Sequence, residues 1–178
     1  MADFSLYSIN AILILDNEGK RLFAKYYTPI HSTEPAPFPT LKSQLAFESS
    51  LFSKTYKLKS DIILFENQVV VYKEISDIII YIIGNIDENE ACLYQVLIGL
   101  RDALDVVLRH AIDKKSVQEN YDFVCLAIDE TCDDGIILET EGSVIASRVS
   151  TRPSAETPSL RNIELSEKGV SKLMSFLF

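Results

Sequence analysis

Residues 78–107 read IIIYIIGNIDENEACLYQVLIGLRDALDVV, and a change of period inside this stretch decides the fold. Ile78 to Ile83 is the longest purely apolar run in the chain. A strand without polar alternation belongs in the middle of a sheet, covered on both faces. Asp87-Glu88-Asn89-Glu90 then opens a long helix, with Asp87 and Glu90 at the spacing of a capping box. Leu93, Leu97, Leu100, Leu104 and Ala111 make one apolar stripe, which Val96, Ala103, Val106 and Val107 widen well beyond a single face. Such a helix is buried on more than one side. The domain's own sheet covers one side, and a neighbouring helix or a partner the other.

Working towards the N-terminus, Ile62–Phe65 and Val69–Tyr72 are short strand candidates broken by Glu66-Asn67 and Glu74 to Asp77, so that with Ile78–Ile83 they form an antiparallel meander. Before them Leu41, Leu45, Phe52 and Tyr56 recur at helical spacing over about 40–57, with Thr40 as N-cap. A loop with Pro29, Pro35, Pro37 and Pro39 precedes this helix. The first two apolar segments, Leu6 to Leu15 and Arg21 to Tyr27, flank Asp16-Asn17-Glu18-Gly19 and read as a hairpin.

Towards the C-terminus, 114–120 reads as a polar break and Tyr121 to Cys132 as a further helix, with Gly135 placed to take a left-handed C′ conformation. Residues 136–149 fit either a strand or a short helix. Pro153 and Pro158 among Ser and Thr mark a linker, and the last stretch holds Ile163, Val170, Leu173, Met174 and Leu177 at near-helical spacing. The expected division is therefore a domain over 1–150, and over 151–178 a linker and tail with a short amphipathic helix.

A net charge of −9 argues against nucleic acid, which needs a basic surface to release counterions, and against direct binding to an anionic leaflet. Any membrane attachment is expected through a partner. Three cysteines without a CxxC fit a reducing cytosol and read as small buried hydrophobes. No secretory h-region or myristoylation glycine opens the chain, and no apolar run approaches the roughly 20 residues of a membrane span.

The sequence carries no recognisable catalytic or metal-binding motif. His31 and His110 have no ligand partners at zinc spacing. Read as a calcium loop from Asp129, the acidic cluster has Asp134 where glycine is needed and Thr140 in place of the bidentate glutamate. No GxGxxG, P-loop or GxSxG elbow is present. The expectation is a protein that is not an enzyme, with no cofactor, no metal and no catalytic residue.

The element order, strand–strand–helix–three strands–long helix–helix, resembles the longin-type domain. Ala11-Ile12-Leu13-Ile14-Leu15-Asp16-Asn17 followed by Arg21-Leu22-Phe23-Ala24-Lys25-Tyr26-Tyr27 resembles the opening of coatomer (COPI) zeta subunits. Val70-Val71-Tyr72-Lys73, Tyr81-Ile82-Ile83-Gly84 and Glu88-Asn89-Glu90 continue the match, and Leu126 to Glu130 with Asp134 to Glu139 closes it. The resemblance spans about residues 5 to 150.

It implies an α+β, longin-like fold with a five-stranded antiparallel sheet flanked by helices. It further implies a structural small subunit that binds the trunk of the coatomer gamma subunit, joins the other coatomer subunits, and meets an Arf-family GTPase and the membrane only through the coat. The place implied is cytoplasmic, peripheral on Golgi membranes and COPI-coated vesicles, in retrograde Golgi-to-ER and intra-Golgi transport. Candidate partner contacts are Leu93, Leu97, Leu100 and Leu104 on the long helix and Leu173, Met174 and Leu177 in the tail. The alternatives are a clathrin-adaptor sigma subunit and a longin-type small-GTPase regulator. Sigma subunits bind acidic dileucine signals, but Ile75-Ser76-Asp77-Ile78 departs from their pattern and Asp77 would repel such a signal, so cargo binding is not carried over.

Overall fold

Turn chemistry lays out the sheet. The Asp16 carboxylate accepts the Glu18 and Lys20 amides at 2.9 and 2.8 Å, and Gly19 takes φ 77° to close the turn. This joins β1 (Ile9–Asp16) to β2 (Arg21–Tyr26) as the expected hairpin, with a bulge between Ile14 and Leu15. Glu66 and Asn67, both at positive φ, make a two-residue turn between β3 (Ile62–Phe65) and β4 (Gln68–Ile75). Ser76-Asp77 turns β4 into β5 (Ile78–Asn85). The antiparallel sheet has the order β2-β1-β5-β4-β3, and β5 is fully buried from Ile78 to Gly84 as its sequence requires. The computed structural model describes residues 6–28, 38–56, 58 and 60–150. The tail, with Leu173, Met174 and Leu177, lies outside the described residues, as do His31 and the prolines at 29, 35 and 37.

One face of the sheet packs on α1 (Leu41–Thr55), through Leu13, Leu15, Val70, Tyr81 and Ile83. Thr40 caps this helix as expected, accepting the Ser43 amide at 3.2 Å. Its buried face is Phe47, Glu48, Leu51 and Thr55, not the expected stripe: Leu41, Leu45 and Tyr56 are exposed and Phe52 is half-buried. Two apolar rows compete on this helix. Arg21 selects one of them by gripping Glu48 (side chain 2% exposed) at 2.6 and 2.9 Å, with Tyr26 Oη donating to the same carboxylate at 2.8 Å. Below, Tyr81 is buried with its hydroxyl 2.8 Å from Thr55 Oγ1, and burial pushes its pKa up to about 12.

The opposite face carries α2 (Glu90–Val107), α4 (Tyr121–Thr131) and α5 (Gly142–Ser150) around Ile12, Ile14, Ile80 and Ile82. The cap of α2 is Asn89, whose side chain accepts the Ala91 amide at 2.9 Å, rather than Asp87. The α2–α5 contact is unusually close because Gly99 and Gly142 have no side chains. A Cβ on Gly142 would stand 2.6 Å from Asp102 Cβ and 2.8 Å from the Gly99 carbonyl.

Two expectations for the C-terminal half change, and one left open is resolved. The polar stretch expected to be a break forms a short helix, α3 (Lys114–Glu119), because Asp113 caps it and Val117 is buried in the core. Gly135 serves a turn between β6 (Cys132–Asp133) and β7 (Ile136–Ile137) instead of a helix C′ position, since α4 has already ended at Thr131. Residues 136–149 contain both options, β7 and then α5.

Candidate functional site: a partner-binding surface

The four leucines expected to meet a partner are Leu93, Leu97, Leu100 and Leu104, and each has 0% exposure. They belong to the core between the sheet, α4 and α5. The second side of α2 is thus covered by the chain's own helices, which corrects their assignment as partner contacts. Burying a leucine stabilises by roughly 2 kcal/mol. Uncovering four of them would consume about 8 kcal/mol, comparable to a whole domain's stability.

The groups that could have carried chemistry are also accounted for. Among the described residues no cluster of three His, Cys, Asp or Glu side chains has the geometry to hold a metal ion. His110 Nδ1 sits 2.6 Å from Asp105 at the exposed end of α2. Asp129 pairs with Lys25 at 2.7 Å, and Glu130 with Arg148 at 3.4 Å. Burial pushes the Cys132 thiol up to about 11 and also raises Cys125, leaving them poor nucleophiles. Cys92 is exposed and Cys125 half-buried, contrary to the expectation that all three are buried. No helix among the described residues is long and apolar enough to cross a membrane.

Where the β4–β5 turn meets α3, a charged cluster locks the structure. Asp77 Oδ1 accepts the Lys114 amide at 2.8 Å, and its carbonyl accepts the Asn17 amide at 3.0 Å. The Lys114 ammonium reaches across to Asp16, 0% exposed, at 2.8 Å. Burial alone would raise the Asp16 pKa, but the Lys114 bond and the two turn amides outweigh it and hold the group below its ordinary 3.8. A depressed folded pKa contributes stability that is present above the unfolded value and is lost as pH falls through the folded one. Acid unfolding below about pH 4 is therefore expected to be shallower in Lys114→Met than in the parent chain, with lower stability at neutral pH. Urea midpoints measured from pH 7 to pH 2 test this, and parallel curves would refute it.

What remains for a partner is apolar surface left open elsewhere. Leu41 (61% exposed) and Leu45 project from α1, Leu126 from α4, and Leu138 follows β7. On β3, Ile62 and Leu64 stand out at 39% and 64%. Leucines exposed singly on α1 and α4, on opposite faces of the sheet, are ordinary, whereas Ile62 and Leu64 stand side by side on one strand. The apolar run of β3 was visible in the sequence, but its place at the sheet edge was not.

Comparison with known proteins agrees with this architecture. The family model for the clathrin adaptor complex small chain matches residues 8–156. Coatomer subunit zeta of Saccharomyces cerevisiae is 48% identical over 159 residues, covering 88% of this chain and 84% of its own length. Coatomer subunit zeta-1 of Oryza sativa subsp. japonica is 46% identical (80% and 79% covered), and that of Homo sapiens 41% (96% and 88%). A chain in a homology model of the full-length AP-3 complex in a stretched open conformation superposes with a TM-score of 0.60 at 17% identity, covering 79% of this chain and 90% of that one. At that identity the likeness concerns the longin-like fold alone. Identity at this level to zeta subunits, over most of both chains, places the protein: it belongs to the clathrin adaptor complex small chain family and, within it, to the coatomer zeta subunits, small subunits of a vesicle coat.

Proposed function

We propose that this chain is a structural, non-catalytic small subunit of the COPI coat that binds the trunk of the coatomer gamma subunit. Through that heterodimer it supports coat assembly for retrograde Golgi-to-ER and intra-Golgi transport, in the cytoplasm and on Golgi membranes. The observation that carries the reading is 48% identity to a coatomer zeta subunit across 88% of the chain. The open apolar residues on β3 support a partner that covers them. Contact with the Arf-family GTPase is indirect, through the coat. Leu173, Met174 and Leu177 of the tail are proposed as further partner contacts.

Co-expression with the coatomer gamma trunk and, separately, with a clathrin-adaptor large-subunit trunk tests the proposal by size-exclusion chromatography. One-to-one co-elution with gamma alone is expected. Pairing with the adaptor trunk alone would assign the chain to a different coat. A well-folded monomer that binds neither would remove the structural-subunit reading.

A further inference from the structure

The two edges of the sheet are built differently. Edge strand β2 is guarded: Lys25 binds Asp129 at 2.7 Å, Phe23 packs against Tyr121, Arg21 is tied to Glu48, and a bulge breaks its pairing with β1. Edge strand β3 reads Ile62-Ile63-Leu64-Phe65 and holds no charge, proline or bulge. Apart from its shortness, it lacks the devices that keep an open edge from pairing.

Its register shows what the edge offers. Phe65 and Gln68 flank the two-residue turn, and the Tyr72 amide bonds the Asp61 carbonyl at 2.9 Å, so Asp61, Ile63 and Phe65 direct their backbone groups at β4. Ile62 and Leu64 therefore direct theirs outward. The Ser60 hydroxyl takes up both of those on Ile62, at 2.8 and 3.3 Å, so that among the described residues the Leu64 amide and carbonyl are left facing the open edge. Ile63 and Phe65 pack on the α1 side, so the exposed Ile62 and Leu64 side chains lie on the α2 side and continue the apolar surface of Val69.

We propose that β3 takes an extended segment of the partner subunit as a sixth strand, apolar at alternate positions to cover Ile62 and Leu64. This rests on the partner reading above. A second copy is disfavoured on two grounds. Two copies meeting at this edge alone would fall far short of the roughly 800 Å² per partner of a stable interface, a deficit that a larger subunit with further contacts avoids. Each chain also carries a net charge of −9, which opposes self-association. The same net charge favours a segment bearing basic residues. Backbone pairing supplies affinity in such an arrangement, and the alternate side chains supply specificity.

The test uses the full chain with the coatomer gamma trunk. Leu64→Lys is expected to weaken binding at least tenfold while its melting temperature stays within a few degrees of the parent. Hydrogen exchange on the parent complex gives an independent reading, since the Leu64 amide should exchange at least tenfold more slowly when bound. Unchanged affinity in a folded Leu64→Lys, or unchanged exchange at Leu64, would overturn the strand-addition inference and leave gamma binding standing. A free chain that runs as a dimer, dissociated by Leu64→Lys, would hand the edge to a second copy and overturn it too. Failure of the parent chain to bind gamma would remove the partner reading and this inference together.

Discussion

Gly99→Ala is expected to lower the melting temperature by roughly 4–8 °C, a net loss of about 2 kcal/mol or more. In an exposed helix the same change would stabilise by about 1 kcal/mol, because alanine is the better helix former. Here the new methyl group would overlap the carbonyl of Thr140, a backbone atom that cannot rotate away. To accept it, α2 and the segment leading into α5 must separate, and the core residues Leu100, Ala103, Ile145 and Ala146 would lose packing with them. Overpacking against fixed backbone exceeds the propensity gain, so the sign is destabilising. Thermal melts followed by circular dichroism decide it. A melting temperature equal to or above the parent's would mean that the helices are not in contact at Gly99.

Arg21→Met is expected to cost about 3–5 kcal/mol by leaving the Glu48 carboxylate buried without its cation. Tyr26 Oη still donates to Glu48, but a neutral donor does not replace a bidentate guanidinium. Replacing both partners should recover most of that loss, because a buried ion pair is often no better than well-packed apolar residues of similar volume. A urea series on Arg21→Met, Glu48→Leu and the double variant measures this directly. A neutral Arg21→Met, or a double variant that is the least stable of the three, would refute the buried-carboxylate account. The pair also sets which row of α1 is buried and so keeps Leu41 and Leu45 on the outside.

Acceptance of a partner strand would follow from the same architecture. The sheet is anchored at β2 by ion pairs to α1 and α4 and left open at β3. Coverage by a larger subunit would satisfy the Leu64 backbone and remove Ile62 and Leu64 from water together. One small domain then presents an open pairing edge without risking aggregation at both ends of its sheet.

Much of this molecule was determined by short stretches of its sequence. The hairpin around Asp16-Asn17-Glu18-Gly19, the meander from Ile62 to Ile83, the Thr40 cap and the central position of β5 all depend on contacts within a few residues or on one continuous apolar run. Membership of the zeta family was legible in the same pieces. The tertiary structure alone decided which row of α1 faces the sheet, because Arg21, 27 residues away, holds Glu48. It also decided that the second side of α2 is covered from within, since Gly99 meets Thr140 from a distant part of the chain. A periodic sequence declares that a face is apolar, but what covers that face depends on residues far along the chain. For the same reason the free edge at Leu64 could not be read locally: an edge exists only once all five strands have taken their order.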